Sequence, residues 1–227
     1  MGFYNILEVQ NRMIFKDRVD AAEKLAKKLE WLRGEDPIIL AIPRGGVVIG
    51  DVIAKTLGAK LDIIVSRKVG TPYNPELAIG AVMHDGSFFP NTDIIAAMNI
   101  PKKYIEEQVA SELKEIDRRL MKFRGTKDYQ LEGKTVVLVD DGIATGATVF
   151  VTLQWLKRQN PKRLVVAVPV GPKDAIEKLS RVAEVVVLDC PSFFNAVGEY
   201  YDTFGQVEDN RVIGIMRSYG YRPKVST

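Results

Sequence analysis

Residues 136–149 read VVLVDDGIATGATV, and this stretch decides the fold. Val136, Val137, Leu138 and Val139 form an unbroken apolar run, the pattern of a strand covered on both faces of a parallel sheet. Asp140 and Asp141 follow at once, at the carboxyl end of that strand, where open α/β sheets hold their ligand crevice. Small and hydroxylated residues come next: Gly142, Ala144, Thr145, Gly146, Ala147 and Thr148. Val149, Thr152, Leu153 and Leu156 then recur at helical spacing, so the loop ends by opening a helix.

Such a loop suits a phosphorylated sugar. A helix N-terminus offers unpaired N–H groups and partial positive charge to an anion, and small residues let the backbone approach it. Thr145 and Thr148 add hydroxyl donors. Two carboxylates are poor phosphate ligands, but they accept hydrogen bonds from the vicinal hydroxyls of a ribose. A capped βα turn without a ligand is the plain alternative, and the adjoining acids weigh against it.

Working outward, the same pattern recurs. PIILAI (37–42) runs as a strand into Pro43-Arg44-Gly45-Gly46, followed by a helical segment from Val47 to Leu57. Two glycines permit an unusual backbone there, and an arginine supplies a forked donor for phosphate oxygens. LDIIVS (61–66) reads as another buried strand, which delivers Arg67-Lys68 into a loop with two prolines and two glycines, VGTPYNPELAIG. Few apolar contacts would hold that loop down, as expected of a segment that orders over a ligand. Glu76 is an acid within it, with its role open.

The runs 163–171 and 182–190 bring the β segments to five, separated by helical patterns such as Val19, Ala22, Leu25, Leu29 and Leu32. The expectation is a doubly wound α/β fold: a mainly parallel sheet of about five strands with helices on both faces. AIGAVMHDGSFF (78–89), with its Asp85-Gly86 turn, predicts an antiparallel hairpin at the sheet margin. Residues 101–124 predict a long helix with Ile105, Val109, Leu113, Ile116, Leu120 and Phe123 near heptad spacing. Its charged residues make a solvated face, and its shape also offers a surface for a homodimer. The chain reads as one domain over 1–227, with a core of about 15–190 and small hood or tail elements at 1–14 and 191–227.

Composition narrows the function classes. A net charge of +3 over 227 residues lacks the clustered basic face of a nucleic-acid binder. The one cysteine, Cys190, excludes an internal disulfide framework and fits a reducing compartment. Neither a signal-like N-terminus nor a segment of membrane-spanning length occurs, so a soluble cytoplasmic protein is expected. The one histidine, His84, cannot build a histidine metal cluster and reads as a surface or turn residue rather than a catalytic base.

DDGIATGAT lacks the Gly-Lys-Ser/Thr ending of a Walker A loop and the glycine spacing of a dinucleotide fingerprint. It resembles the sugar-phosphate loop of the type I phosphoribosyltransferases. IPRGG, SRKVG, NPELAIGAV and VDDGIATGAT, in that order, are most similar to predicted phosphoribosyltransferases without a defined acceptor, over residues 15 to about 210.

The resemblance implies transfer of phosphoribosyl from 5-phosphoribosyl-1-pyrophosphate (PRPP), with magnesium, to a nitrogen of a nucleobase or related heterocycle. The same fold serving as a non-catalytic sensor is the alternative. Gly142, Ala144, Thr145, Gly146, Ala147 and Thr148 would bind the 5-phosphate, and Asp140 and Asp141 the ribose. Arg44, Gly45, Gly46, Arg67 and Lys68 would bind pyrophosphate, with Arg67, Lys68, Asp140 and Asp141 as the catalytic set and no side chain assigned to metal. A hood over the acceptor would draw on Phe193, Phe194, Tyr200 and Tyr201; alternatively these aromatics glue the tail to the core. Family members acting on 6-oxopurines usually carry an aspartate where Ala144 stands, so that acceptor class loses support.

Overall fold

The computed structural model describes residues 14–75 and 77–224. The first helix, α1 (Arg18–Lys28), starts at Asp17, whose carboxylate accepts the amides of Val19 and Asp20 at 2.8 and 3.0 Å. That is a standard N-cap, and it buries Ala21, Ala22, Leu25 and Ala26 on one face. Strand β1 (Ile38–Ala41), helix α2 (Gly45–Leu57) and strand β2 (Lys60–Ile63) follow. Next come β3 (Ser66–Gly70), β4 (Ala78–Met83), β5 (Phe88–Pro90), α3 (Thr92–Ala97) and α4 (Lys102–Phe123). The chain then alternates through β6 (Thr135–Val139), α5 (Ala147–Arg158), β7 (Arg163–Val170), α6 (Lys173–Ser180) and β8 (Glu184–Asp189). A 3-10 turn (Val197–Tyr200) and α7 (Asp209–Ser218) complete it.

Five strands pair in parallel in the order β2-β1-β6-β7-β8, as the apolar runs predict. One core joins α1, α2 and α7 to one face of this sheet, and a second joins α5 and α6 to the other. The fold is therefore doubly wound. Connections from β1 and β6 diverge to opposite sides, so the β1/β6 boundary is the topological switch point, where such sheets bind ligands. Ala41 is in register with Val139, and the Ile42 amide donates to the Val139 carbonyl at 3.0 Å. Residues 43–46 and 140–141 thus leave the sheet side by side.

Two expectations are corrected. The run 61–66 is not one strand: β2 ends at Ile63, and Ser66 begins β3 in a second sheet. Ile64 packs in the second core and Val65 in a third, so the unbroken apolar run marks a crossing between cores. Arg67 and Lys68 accordingly lie on a strand rather than in a loop. The 78–89 hairpin exists, with Gly86 in the left-handed region, but it joins β3 in a separate antiparallel sheet instead of edging the parallel one. On α4, Ile116 and Leu120 are buried in the third core with β3 and β4, and Ile105, Val109 and Leu113 pack half-buried against it.

Candidate active site

The first loop of the site opens at a cis Pro43–Arg44 peptide and passes directly into α2. Its two glycines are dictated by packing. A Cβ on Gly45 would overlap the Asp141 carboxylate, and one on Gly46 would sit 2.9 Å from the Val139 carbonyl and 3.0 Å from Asp140 Cα. The β1 loop and the strand-end acids therefore require each other.

The acids face different surroundings. Asp140 borders a cleft of about 560 Å³ that also meets Pro43, Ser66, Arg67, Lys68, Glu112, Arg119 and Thr148. Asp140 Oδ1 accepts the Asp141 amide at 2.9 Å. Its carboxyl is set deep, with part of its surface still open to the cleft, and burial followed by the neighbouring Asp141 charge pushes it well above the usual carboxylate range. Asp141 has partners of its own: Arg18 Nε donates to its Oδ2 at 2.7 Å, and the Tyr201 hydroxyl donates to its backbone carbonyl at 2.6 Å.

The loop after the acids is fastened by Ile143, which is buried and donates its amide to the Val170 carbonyl at 2.9 Å. A Cβ on Gly142 would overlap Val197. Gly146 caps α5 from the left-handed region, φ +74°, which strains any other L-residue. The amides of Gly142, Ala144, Thr145 and Gly146 have no acceptor among the described residues. Ala144, Thr145 and Ala147 are exposed. Open N–H groups at the mouth of a helix form an anion cradle.

Arg67 reaches the cleft from β3, with Nε donating to Glu112 Oε2 of α4 at 2.6 Å, and Lys68 lies beside it. The Arg44 side chain turns toward α7, where Nη1 lies 3.4 Å from Asp209 Oδ1; Lys122 binds the other oxygen of that carboxylate at 2.5 Å.

The aromatic tail divides. Phe193 is 92% exposed and Phe194 stacks on Tyr200 at 5.4 Å, whereas Tyr200 and Tyr201 are buried in the core. For those two, gluing the tail to the core is the role the packing describes. His84 sits in the hairpin turn, half-buried and away from the cleft, against Tyr129 and Trp155, centroids 4.6 and 4.7 Å away. Glu76 and residues 1–13 lie outside the described residues.

Sequence reasoning missed Arg18, Glu112, Arg119, Asp209 and the hydroxyl of Tyr201. Each approaches the site from an element whose local pattern signals only a helix face or an apolar tail.

Residues 9–203 match the family model described as the phosphoribosyl transferase domain. The chain belongs to the phosphoribosyltransferase family. A Mycobacterium tuberculosis protein named provisionally as a phosphoribosyl transferase, curated from two strains, is 39% identical over 205 residues. That match covers 89% of this chain and 46% of the relative, so the chain spans about half the length of the curated relatives it matches. The crystal structure of a Thermus thermophilus protein superimposes with a TM-score of 0.79 at 41% identity, covering 91% of this chain and 99% of that one. The parallel five-stranded sheet agrees with the family's α/β core.

Proposed function

We propose that this chain, as a single domain, transfers phosphoribosyl from PRPP to a nitrogen acceptor, a nucleobase or related heterocycle, and releases pyrophosphate. The observation that carries this reading is that one cleft is bordered by a deep carboxylate, two cations and a hydroxyl, Asp140, Arg67, Lys68 and Thr148, the last ending the 142–148 loop with its open amides. Pyrophosphate gathers negative charge as its bond to the anomeric carbon breaks. Arg67 and Lys68 border the cleft and would meet that charge, with the backbone of the 43–46 loop assigned to pyrophosphate by the resemblance and Arg44 joining if it leaves Asp209. The ribose ring gathers positive charge, which Asp140 offsets while accepting the sugar hydroxyls. Thr145 and Thr148, with the open amides of the loop, hold the 5-phosphate.

Magnesium fits the donor set. No group of three or more His, Cys, Asp or Glu could cage an ion among the described residues, and Ser66 and Thr148 bring hydroxyl oxygens to the cleft. A hard ion held mainly by water and by substrate phosphate and sugar oxygens suits such a site, where it would neutralise pyrophosphate charge.

Ala144 is exposed and brings no polar group to a purine, so a 6-oxopurine acceptor is disfavoured. Of the aromatics, Phe193 and Phe194 remain the acceptor-wall candidates. No helix among the described residues is long and apolar enough to cross a membrane, and the lone exposed Cys190 suits the cytoplasm.

Calorimetric titration of PRPP with magnesium into the wild type and Asp140→Asn tests the donor half: equal affinities, or none in the wild type, would refute it. Pyrophosphate release across a panel of heterocycles tests the transfer. One observation favours a sensor instead: the donor side is assembled, while two of the four tail aromatics are buried. Tight PRPP binding without turnover on any heterocycle would select the sensor.

A further inference from the structure

The polar face of α4 is more than the solvated surface that its charge pattern predicts. Tyr104, Gln108, Glu112 and Arg119 recur at helical spacing, and all four border the cleft that holds Asp140. Tyr104 also ties this stripe to the end of β3, its hydroxyl donating to the Gly70 carbonyl at 3.2 Å. Two glutamates of α4 each brace an arginine of the cleft at the same atom. Glu112 Oε2 accepts Arg67 Nε at 2.6 Å, and Glu115 Oε1 accepts Arg119 Nε at 2.8 Å. Among the described residues, the Nη groups of both arginines have no hydrogen-bond partner. Each side chain is 34% exposed, so a ligand can reach it although its elbow is held. Glu115 accepts Arg118 as well, from Nε at 2.7 Å and Nη2 at 2.8 Å. Arg118 first, and then Arg119, hold the Glu115 carboxyl down at about 2 against the opposing effect of burial, so this brace stays charged at neutral pH. A guanidinium fixed through Nε presents its remaining N–H groups as a planar fork, the geometry that binds phosphate oxygens in pairs.

We propose that Arg119 binds the leaving group together with Arg67, the two braced forks closing as a clamp on the two phosphoryl units of pyrophosphate. Arg67 comes from β3 and Arg119 from the far half of α4, so the clamp joins the small sheet to the helix that covers it. Glu112 and Glu115 are its positioning residues: each spends its charge on an Nε and leaves the Nη groups for the ligand. Two forks suit a diphosphate better than a monophosphate, which would engage one and leave the other unpaired. The clamp therefore acts on one half of the donor, and its loss should be felt by ligands that carry a diphosphate and not by those that carry only a 5-phosphate.

This role rests on PRPP being the donor. The test is calorimetric titration of PRPP, pyrophosphate and ribose 5-phosphate, each with magnesium, into the wild type, Arg119→Gln, Arg119→Lys and Arg118→Gln. Thermal melts of each confirm that it is folded. Arg119→Gln should weaken PRPP and pyrophosphate at least about tenfold, the scale of a truncated charge pair, and ribose 5-phosphate less than about twofold. Arg119→Lys should recover part of the loss, because lysine restores the charge without the fork. Arg118 shares Glu115 but does not border the cleft, so Arg118→Gln should bind all three ligands within about twofold of the wild type. Equal losses for all three ligands in Arg119→Gln would mean that the residue only supports the shape of the cleft, which would overturn the proposal. So would an Arg119→Gln variant that binds pyrophosphate as the wild type does, or an Arg118→Gln loss as large as that of Arg119→Gln. With a wild type that binds PRPP, each of these results removes the clamp and leaves the donor reading standing. A wild type that binds neither PRPP nor pyrophosphate would overturn the donor reading and the clamp together.

Discussion

Gly45 has no room for a methyl group, because the Asp141 carboxylate occupies that space. The constraint is steric, so Gly45→Ala must displace either the α2 N-terminus or the Asp141–Arg18 pair. Overpacking of this kind costs about 1–3 kcal/mol, and a urea titration should show a loss in that range together with weaker PRPP binding. Unchanged stability and affinity would mean that the two loops are not interlocked. Tyr201→Phe is a milder probe of the same place. It keeps the ring contacts to Phe15 at 5.4 Å and Phe204 at 4.8 Å but removes the donor to the Asp141 carbonyl. A loss of about 0.5–1.5 kcal/mol is expected, the usual net value of one hydrogen bond. At this scale the glycines, acids and threonines were legible because their meaning is local: a strand end, a tight turn, a helix mouth. Arg18 was not, since its partner lies 123 residues further along the chain and its own surroundings spell only a capped helix.

The apolar run Ile63-Ile64-Val65 shows where element-scale reading fails. Continuous burial looks the same whether one strand stays in a sheet or the chain leaves one core for another, and here it does the second. The parallel strands were readable because each is short, apolar and set between helical patterns. His84 is a turn residue, as its Asp85-Gly86 neighbours predict, but the packing of that turn was not legible: it faces α5, where Trp155 Nε1 donates to Asp85 Oδ2 at 2.7 Å and the imidazole packs against two rings. Its Nδ1 is buried with no partner among the described residues, and burial holds the imidazole below its ordinary value of 6.5 despite the opposing charge of Asp85. Asp117 also favours protonation, while Arg124 and Lys127 oppose it. The unfolded chain therefore binds the proton more readily than the folded one. Stability is full above the unfolded value and falls as pH drops below about 6.5, by at most about 1.4 kcal/mol per pH unit, until the folded value is passed. Urea unfolding of the wild type and His84→Gln between pH 8 and 5 should show the wild type losing stability relative to the variant as pH falls. Parallel curves would sink the idea.

The cleft is assembled from two layers of the molecule. Asp140 and the phosphate loop belong to the parallel sheet, while Arg67 and Lys68 belong to the small antiparallel sheet beneath α4. Their spacing depends on whatever ties the layers together, and one tie is a buried pair that takes no part in the cleft. Arg124, at the end of α4, donates from Nε and Nη2 to the two oxygens of Asp62 on β2, at 2.7 and 2.8 Å. The same guanidinium reaches the Thr126 and Asp128 carbonyls and lies 4.1 Å over the Tyr129 ring. Both side chains are buried, so removing one leaves an uncompensated charge, which typically costs about 3–5 kcal/mol. Arg124→Ala should therefore lower the unfolding free energy by that order. It should also raise the Kd for PRPP, although Arg124 does not border the cleft, because Arg67 and Lys68 lose their fixed distance from Asp140. Hydrogen exchange should show the loss of protection concentrated in β3–β5 and α4, with β1, β6 and β7 little changed. Replacing both partners together, Asp62→Leu with Arg124→Met, should restore much of the stability, since an apolar pair of similar size carries no unmet charge. If affinity for PRPP held steady in Arg124→Ala while stability fell, the two layers would have to be positioned by contacts other than this pair.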